Sequence, residues 1–256
     1  MMDAQIADLG SRIEASLIGA LIGEHAAGVA AGGADLLGVA ESVAACGGFG
    51  ENDLRQRGLE RPSRSGSAGL LLRALPFGLL TPLDRPRLRR DAYRCVAIAG
   101  ADEGTAVTSV AAAILIADVL RFDIATALVR VRQSLLEDAP MALLQRLRVM
   151  PTEAMEARAS LADPGLVLQS AVTAADGAMT AEEAVNRAAS GPVVALTLAG
   201  ALAGARGGRR SIEGVAVAEV PHGERAISIA HHLAERAEEQ LHLRTEELRR
   251  VANIES

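Results

Sequence analysis

Four short stretches carry side chains able to ligate a metal or move a proton: Glu24-His25 with Asp35 behind them, Asp102-Glu103, His231-His232, and His242. A carboxylate works as a general acid or base when it sits within hydrogen-bond reach of the reacting group. Glu24 and Asp102 are the candidates for that work. Neighbouring residues on a helix point about 100° apart, so Glu24 and His25 do not close on one ion as a bidentate pair. The tail histidines lack the H-E-x-x-H spacing that sets two imidazoles on one helix face. Gly28-x-x-x-Gly32-Gly33 has no Gly-Lys-Ser/Thr after it and is not a phosphate loop. Serine-nucleophile and dinucleotide fingerprints are absent. Cys46 and Cys95 have no partner spacing and read as small core residues in a reducing compartment.

The elements that would position these groups are helical. Ile6, Leu9, Ile13, Leu17 and Leu21 recur at helical spacing. Leu36–Ala45 forms a second helix, ended by Gly47-Gly48, and Asp53 opens a short third one. Gly69–Leu80 is helical until Pro76 disturbs it. Thr81–Arg90, with Arg85, Arg87, Arg89 and Arg90, reads as a solvated loop leading into a helix, or as an anion or partner patch. Further helices follow at Asp91–Ala101, Thr105–Leu120, Phe122–Glu137, Met141–Met150 and Leu166–Ala175. Thr180 and Glu183 form a capping-box pattern. Gly191-Pro192 and Gly207-Gly208 bracket an apolar helix, Val193–Ala205. Gly214–Val220 is the only stretch with any strand character. A long amphipathic helix runs over about 224–252.

Composition agrees with this pattern. Half of the 256 residues are hydrophobic, yet aromatics make up only 2% and tryptophan is absent. Alanine and leucine favour helices, and small side chains let helices pack closely. The expectation is an all-α chain, 1–256, folded as a single compact multi-helix domain. All 26 Lys/Arg positions are arginine, as GC-rich coding produces, and the net charge of −6 argues against nucleic acid as a partner. The most apolar runs, Val107–Ala117 and Val193–Ala205, fall short of the roughly 20 residues a membrane span needs. Asp3, Asp8 and Glu14 interrupt any leader pattern. A cytoplasmic protein with no membrane partner is expected.

Four segments then resemble the ADP-ribosylglycohydrolase family, in that family's own order. Arg12-Ile13-Glu14-Ala15-Ser16-Leu17-Ile18-Gly19 and Gly23-Glu24-His25-Ala26-Ala27 are similar to its opening helix, R-I-x-G-A-L-L-G with G-D-A-L-G, although Glu24 replaces the aspartate. Ala40-Glu41-Ser42 and Gly47-Gly48-Phe49 resemble the A-E-S and G-G-F that follow its T-D-D-T motif. Gly69–Gly78 resembles G-x-x-M-R-x-x-P-x-G. Leu198–Ala205 is similar to I-A-G-A-L-A-G-A, and Glu182-Glu183-Ala184-Val185-Asn186 stands before it as in the family.

The resemblance implies a helical hydrolase fold that removes ADP-ribose with two Mg²⁺ ions held by T-D-D-T and D-T-D-T carboxylates. Mg²⁺ is a hard cation that takes oxygen ligands in an octahedron. Here the T-D-D-T positions hold Ala30-Ala31-Gly32-Gly33, and the D-T-D-T positions hold Gly191-Pro192-Val193-Val194. The family's T-H-x-D-P has become Ala99-Gly100-Ala101-Asp102-Glu103. None of the replacement side chains at the aspartate positions binds a cation, so no metal and no cofactor is expected. The ligand-binding candidates that the resemblance carries over are Glu24, His25, Gly32, Gly33, Arg73, Asp102, Gly191 and Val193. The leading expectation is a pseudoenzyme that binds an ADP-ribose-like small molecule or a protein. One alternative is metal-free acid–base hydrolysis of an ADP-ribose-type or other glycosidic substrate by Glu24 or Asp102. Another is a structural or assembly protein that oligomerises through its C-terminal helix.

Overall fold

The computed structural model describes residues 2–29, 32–147 and 163–254, with side chains between residues 8 and 243 of these ranges. Among the described residues twelve α-helices run in order: α1 (Met2–Ala27), α2 (Gly33–Cys46), α3 (Glu51–Gln56), α4 (Gly66–Leu80), α5 (Arg85–Ile98), α6 (Glu103–Val119), α7 (Ile124–Leu135), α8 (Met141–Arg146), α9 (Pro164–Ala175), α10 (Ala181–Ala188), α11 (Val193–Gly207) and α12 (Gly223–Ile254). The described residues contain no strand. Gly214–Val220, where strand character was expected, holds a short 3₁₀ turn at Val217–Glu219.

The core is a layer of helices buried on all sides. α6 is buried without interruption from Thr105 to Val119, and α4 from Ala68 to Leu80. Such helices show no polar stripe, because every face meets another helix. α4 packs on α6, α2 and α5, while α1 packs on α11, α12 and α10. The largest fully buried side chain is Phe77, and leucine and isoleucine make up the other large ones. Because the core is built from small residues, its helices approach to backbone contact. A Cβ on Gly19 would meet the Gly200 carbonyl, one on Gly23 the Leu196 carbonyl, and one on Gly204 the Ala15 carbonyl. The order of these contacts makes α1 and α11 antiparallel. Gly78 of α4 meets the Ala113 carbonyl of α6 in the same way.

Local capping follows ordinary chemistry, with some corrections. The carboxylates of Asp84, Asp102, Asp123 and Asp163 accept backbone N–H groups at the starts of α5, α6, α7 and α9. The Thr180 hydroxyl accepts from Glu183 N at 3.1 Å, and the Glu183 carboxylate accepts from Met179 N at 2.7 Å, one residue before the cap. Gly47 ends α2 in the left-handed region at φ 66°, as expected of a helix-terminating glycine.

Pro76 does not end its helix. α4 runs through it to Leu80, because packing on both sides of a buried helix outweighs one missing hydrogen bond. The expected loop at Thr81–Arg90 ends early, because the Asp84 cap and Pro86 in the first turn start α5 at Arg85. Asp53 lies inside α3, which Gly50 precedes, and its carboxylate serves Arg57 instead of a cap. Of the helix expected over Met141–Met150, six residues form α8. Positions 148–150 lie outside the described residues, as do Ala30 and Ala31 and the segment from Pro151 to 162. Cys95 is buried as expected, but Cys46, at the end of α2, is exposed. No helix among the described residues is long and apolar enough to cross a membrane.

Candidate functional site

The carried-over residues gather where α1 ends, α2 begins and α11 begins. Glu24 and His25 lie in the last turn of α1. Glu24 is partly buried and His25 is exposed. Gly32 precedes α2 in the left-handed conformation, φ 95°, and Gly33 is the first residue of that helix. The Glu24 carboxylate lies over Gly33, where a Cβ would collide with Oε2. On the other side, Gly23 touches the Leu196 carbonyl, so the last turn of α1 runs beside the first of α11. That places Pro192, buried, and Val193, 40% exposed, at the same end of the bundle. Val29, 58% exposed, follows α1 there.

The packing around these glycines decides what the site can hold. A Cβ at Gly32 would stand 2.8 Å from Leu72 Cδ1 of α4. One at Gly191 would stand 2.7 Å from the Ser170 hydroxyl of α9. Each of these atoms is the far end of a flexible side chain, so a Cβ at Gly32, Gly33 or Gly191 would require Leu72, Glu24 or Ser170 to turn aside. Gly32, Gly33, Gly191 and Val193 offer no oxygen-bearing side chain, and Mg²⁺ requires several such ligands. Among the described residues no cluster of three or more His, Cys, Asp or Glu is placed to hold a metal ion. The donor set does not fit a dinuclear Mg²⁺ centre. Leu72 and Ser170 were not foreseen as part of the site, since an apolar side chain and a lone serine carry no sequence signal for this role.

Arg73 and Asp102, the other two candidates, have partners of their own. The Arg73 side chain is 3% exposed and bonds the Asp35 carboxylate at 2.7 Å. It also donates to the carbonyls of Leu59 and Arg61, both at 2.7 Å. It therefore ties α4 to α2 and to the loop after α3. Asp102 is exposed, and its carboxylate accepts the Thr105 N–H at 2.7 Å. That bond holds Asp102 below the ordinary carboxylate range. A general acid needs its pKa raised toward the working pH, so this environment pushes Asp102 the wrong way. Glu41, in the A-E-S stretch, sits between Arg225 and Arg57 at 2.7 Å from each. The Arg225 hydrogen bond is the main force holding its carboxyl below the usual range.

The four arginines of the arginine-rich stretch each meet a carboxylate, with Arg87 and Arg90 sharing one. Arg85 grips Asp118, which is completely buried, at 2.7 and 2.8 Å. Arg87 reaches the Gly47 carbonyl and lies 3.6 Å from Asp91, while Arg90 lies 3.0 Å from that same carboxylate. Arg89 pairs with Asp138 and donates to the Ser134 carbonyl. Asp118 was not foreseen, although a lone acid inside the apolar run Thr105–Leu120 was a signal for it.

Comparison with known proteins agrees with this geometry. A solved structure described as an ADP-ribosylglycohydrolase-related protein complex superposes with a TM-score of 0.75, covering 90% of this chain and 99% of its own, at 18% identity. At that identity the likeness establishes the fold. No curated protein matches the chain. The sequence model of the ADP-ribosylglycohydrolases matches residues 33–242, from the first turn of α2 into the second half of α12. With that match spanning most of its length, the chain belongs to the ADP-ribosylglycohydrolase family.

Proposed function

We propose that this chain is a pseudoenzyme of its family, a scaffold that binds an ADP-ribose-like ligand or a protein without hydrolysing a glycosidic bond. The observation that carries the reading is that Ala31, Gly32, Gly191 and Val193 stand where the resemblance places the four aspartates, and none has a side chain that binds a cation. Enzymes lower barriers by roughly 8–23 kcal/mol, and a metal supplies several of these by stabilising charge and generating a nucleophile. With no carboxylates at Ala31, Gly32, Gly191 and Val193, that contribution is missing. The capping bond of Asp102 favours its ionised form, which does not suit it to act as a general acid.

The test combines turnover and binding on the full chain. ADP-ribosylated arginine is incubated with Mg²⁺ and again with chelator, and ADP-ribose binding is followed by calorimetry. The expected result is no release above background in either condition, with saturable ADP-ribose binding weakened by Glu24→Gln. Chelator-sensitive turnover would restore the family mechanism and refute the reading. Turnover that ignores chelator but is lost in Glu24→Gln would replace it with a metal-free hydrolase.

A protein partner is favoured by one further observation. Leu243 on α12 is 67% exposed beside Leu83, which is 41% exposed. The similar solved structure is itself described as a complex. Sedimentation across a concentration series tests self-association through this end of α12, which Leu243→Ser is expected to weaken.

A further inference from the structure

A cleft of about 270 Å³ lies between α5, α6 and α7, separate from the α1–α2–α11 end of the bundle. Its walls include Val107, Val110 and Leu135, side chains that are otherwise almost wholly buried. Tyr93, Glu103, Arg89, Arg90 and Asp138 complete the lining. The Tyr93 hydroxyl donates to Glu103 Oε2 at 2.9 Å, which fixes the phenol ring at the edge of the cleft. Small-molecule sites combine an apolar lining with a few convergent polar groups, and this cleft has that composition.

The charges select among ligands. Arg89 pairs with Asp138, and Arg90 shares Asp91 with Arg87. Glu103 has a phenol, not a cation, as its partner. Of the four charged side chains lining the cleft, it is the one outside an ion pair. A carboxylate is best matched by a planar edge with two N–H donors, and an aromatic ring attracts a flat cation. The volume lies below the usual range for drug-sized ligands and admits a single ring with its substituent.

We propose that this cleft is a binding site for a small aromatic amidine-type cation, its N–H edge on Glu103 and its ring against Tyr93 and the valine wall. The site takes no part in the ADP-ribose reading above and stands or falls apart from it.

Tyr93 is the chain's only tyrosine. Ring labelling of tyrosine with ¹³C therefore gives one NMR signal that reports on this cleft alone. Titration of the full chain with benzamidine is expected to shift that signal saturably, and benzoate, with the same ring and the opposite charge, is expected to leave it unmoved. Glu103→Gln is expected to weaken benzamidine binding about tenfold by calorimetry, the worth of one charge-assisted hydrogen bond. Its thermal melt and its Tyr93 signal check that the cleft survives the change. Glu183→Gln, on α10, is expected to bind as the unchanged protein does. No shift with benzamidine, a stronger response to benzoate, or equal affinity in Glu103→Gln would each overturn the proposal. ADP-ribose binding is unaffected by any of these results.

Discussion

Asp102 and the two cysteines give the most direct tests of single side chains. The Asp102 carboxylate is stabilised in its ionised form by the N–H of Thr105. Its folded pKa is therefore depressed, and its contribution to stability is present above the unfolded value of about 3.9 and lost as pH falls through the folded one. Asp102→Ala is expected to lower stability by about 1 kcal/mol near neutral pH, the usual worth of an N-cap. The gap from the unchanged protein should close in acid, as urea midpoints at a series of pH values would show. The thiols differ through burial. Cys95 is enclosed, and desolvation pushes its pKa up to about 12, whereas Cys46 is exposed. A thiol-specific reagent is expected to label Cys46 alone in the native protein and both residues in denaturant. Fast labelling of native Cys95 would contradict the packing of α5 against α4. Sequence reading placed Cys95 correctly because small apolar thiols favour cores. It misplaced Cys46 because nothing in its neighbourhood marks which side of α2 faces water as that helix ends.

At the scale of elements, the pairing of α1 with α11 rests on missing side chains. Gly200 opposes Gly19, and a Cβ on either would strike the other's carbonyl. Gly200→Ala is expected to cost about 3 kcal/mol, the upper end of the overpacking range, because backbone cannot rotate away as a side chain can. Gly10, on the same α1, has only Ala234 Cβ near it, at the ordinary distance of 3.5 Å. Gly10→Ala is expected to gain about 0.5–1 kcal/mol from helix propensity. Thermal or urea denaturation of both variants checks the opposite signs. Most helices were legible from apolar spacing, the glycine stop at Gly47 and the Thr180 cap. α4 beyond Pro76 and α5 before Asp91 were not, because their helicity comes from tertiary burial and from a cap that a proline- and arginine-rich stretch disguises. The close approach of α1 and α11 was visible only as a motif resemblance, since helical glycines carry no mark of what they face.

For the molecule as a whole, the resemblance sets Ala31, Gly32, Gly191 and Val193 at the family's aspartate positions. What surrounds Gly32, Gly33 and Gly191 was not legible in the sequence. In the fold, α4 sends Leu72 toward Gly32, α1 sends Glu24 over Gly33, and α9 sends Ser170 toward Gly191. Three separate helices thus line these glycines. The partners of Arg85, Arg87 and Arg89 likewise became interpretable only in three dimensions, where carboxylates and carbonyls from other segments meet them.

The neighbours of these glycines also bear on what placing a carboxylate there would ask of the fold. Gly32→Asp would meet Leu72 in a backbone conformation, φ 95°, that side chains disfavour, and Gly191→Asp would meet the Ser170 hydroxyl. Each substitution alone is expected to lower the melting temperature while creating no calorimetric response to Mg²⁺. A carboxylate at either position would therefore ask a second residue to give way, Leu72 on α4 or Ser170 on α9, so a metal ligand installed here is a two-helix change rather than a one-residue one.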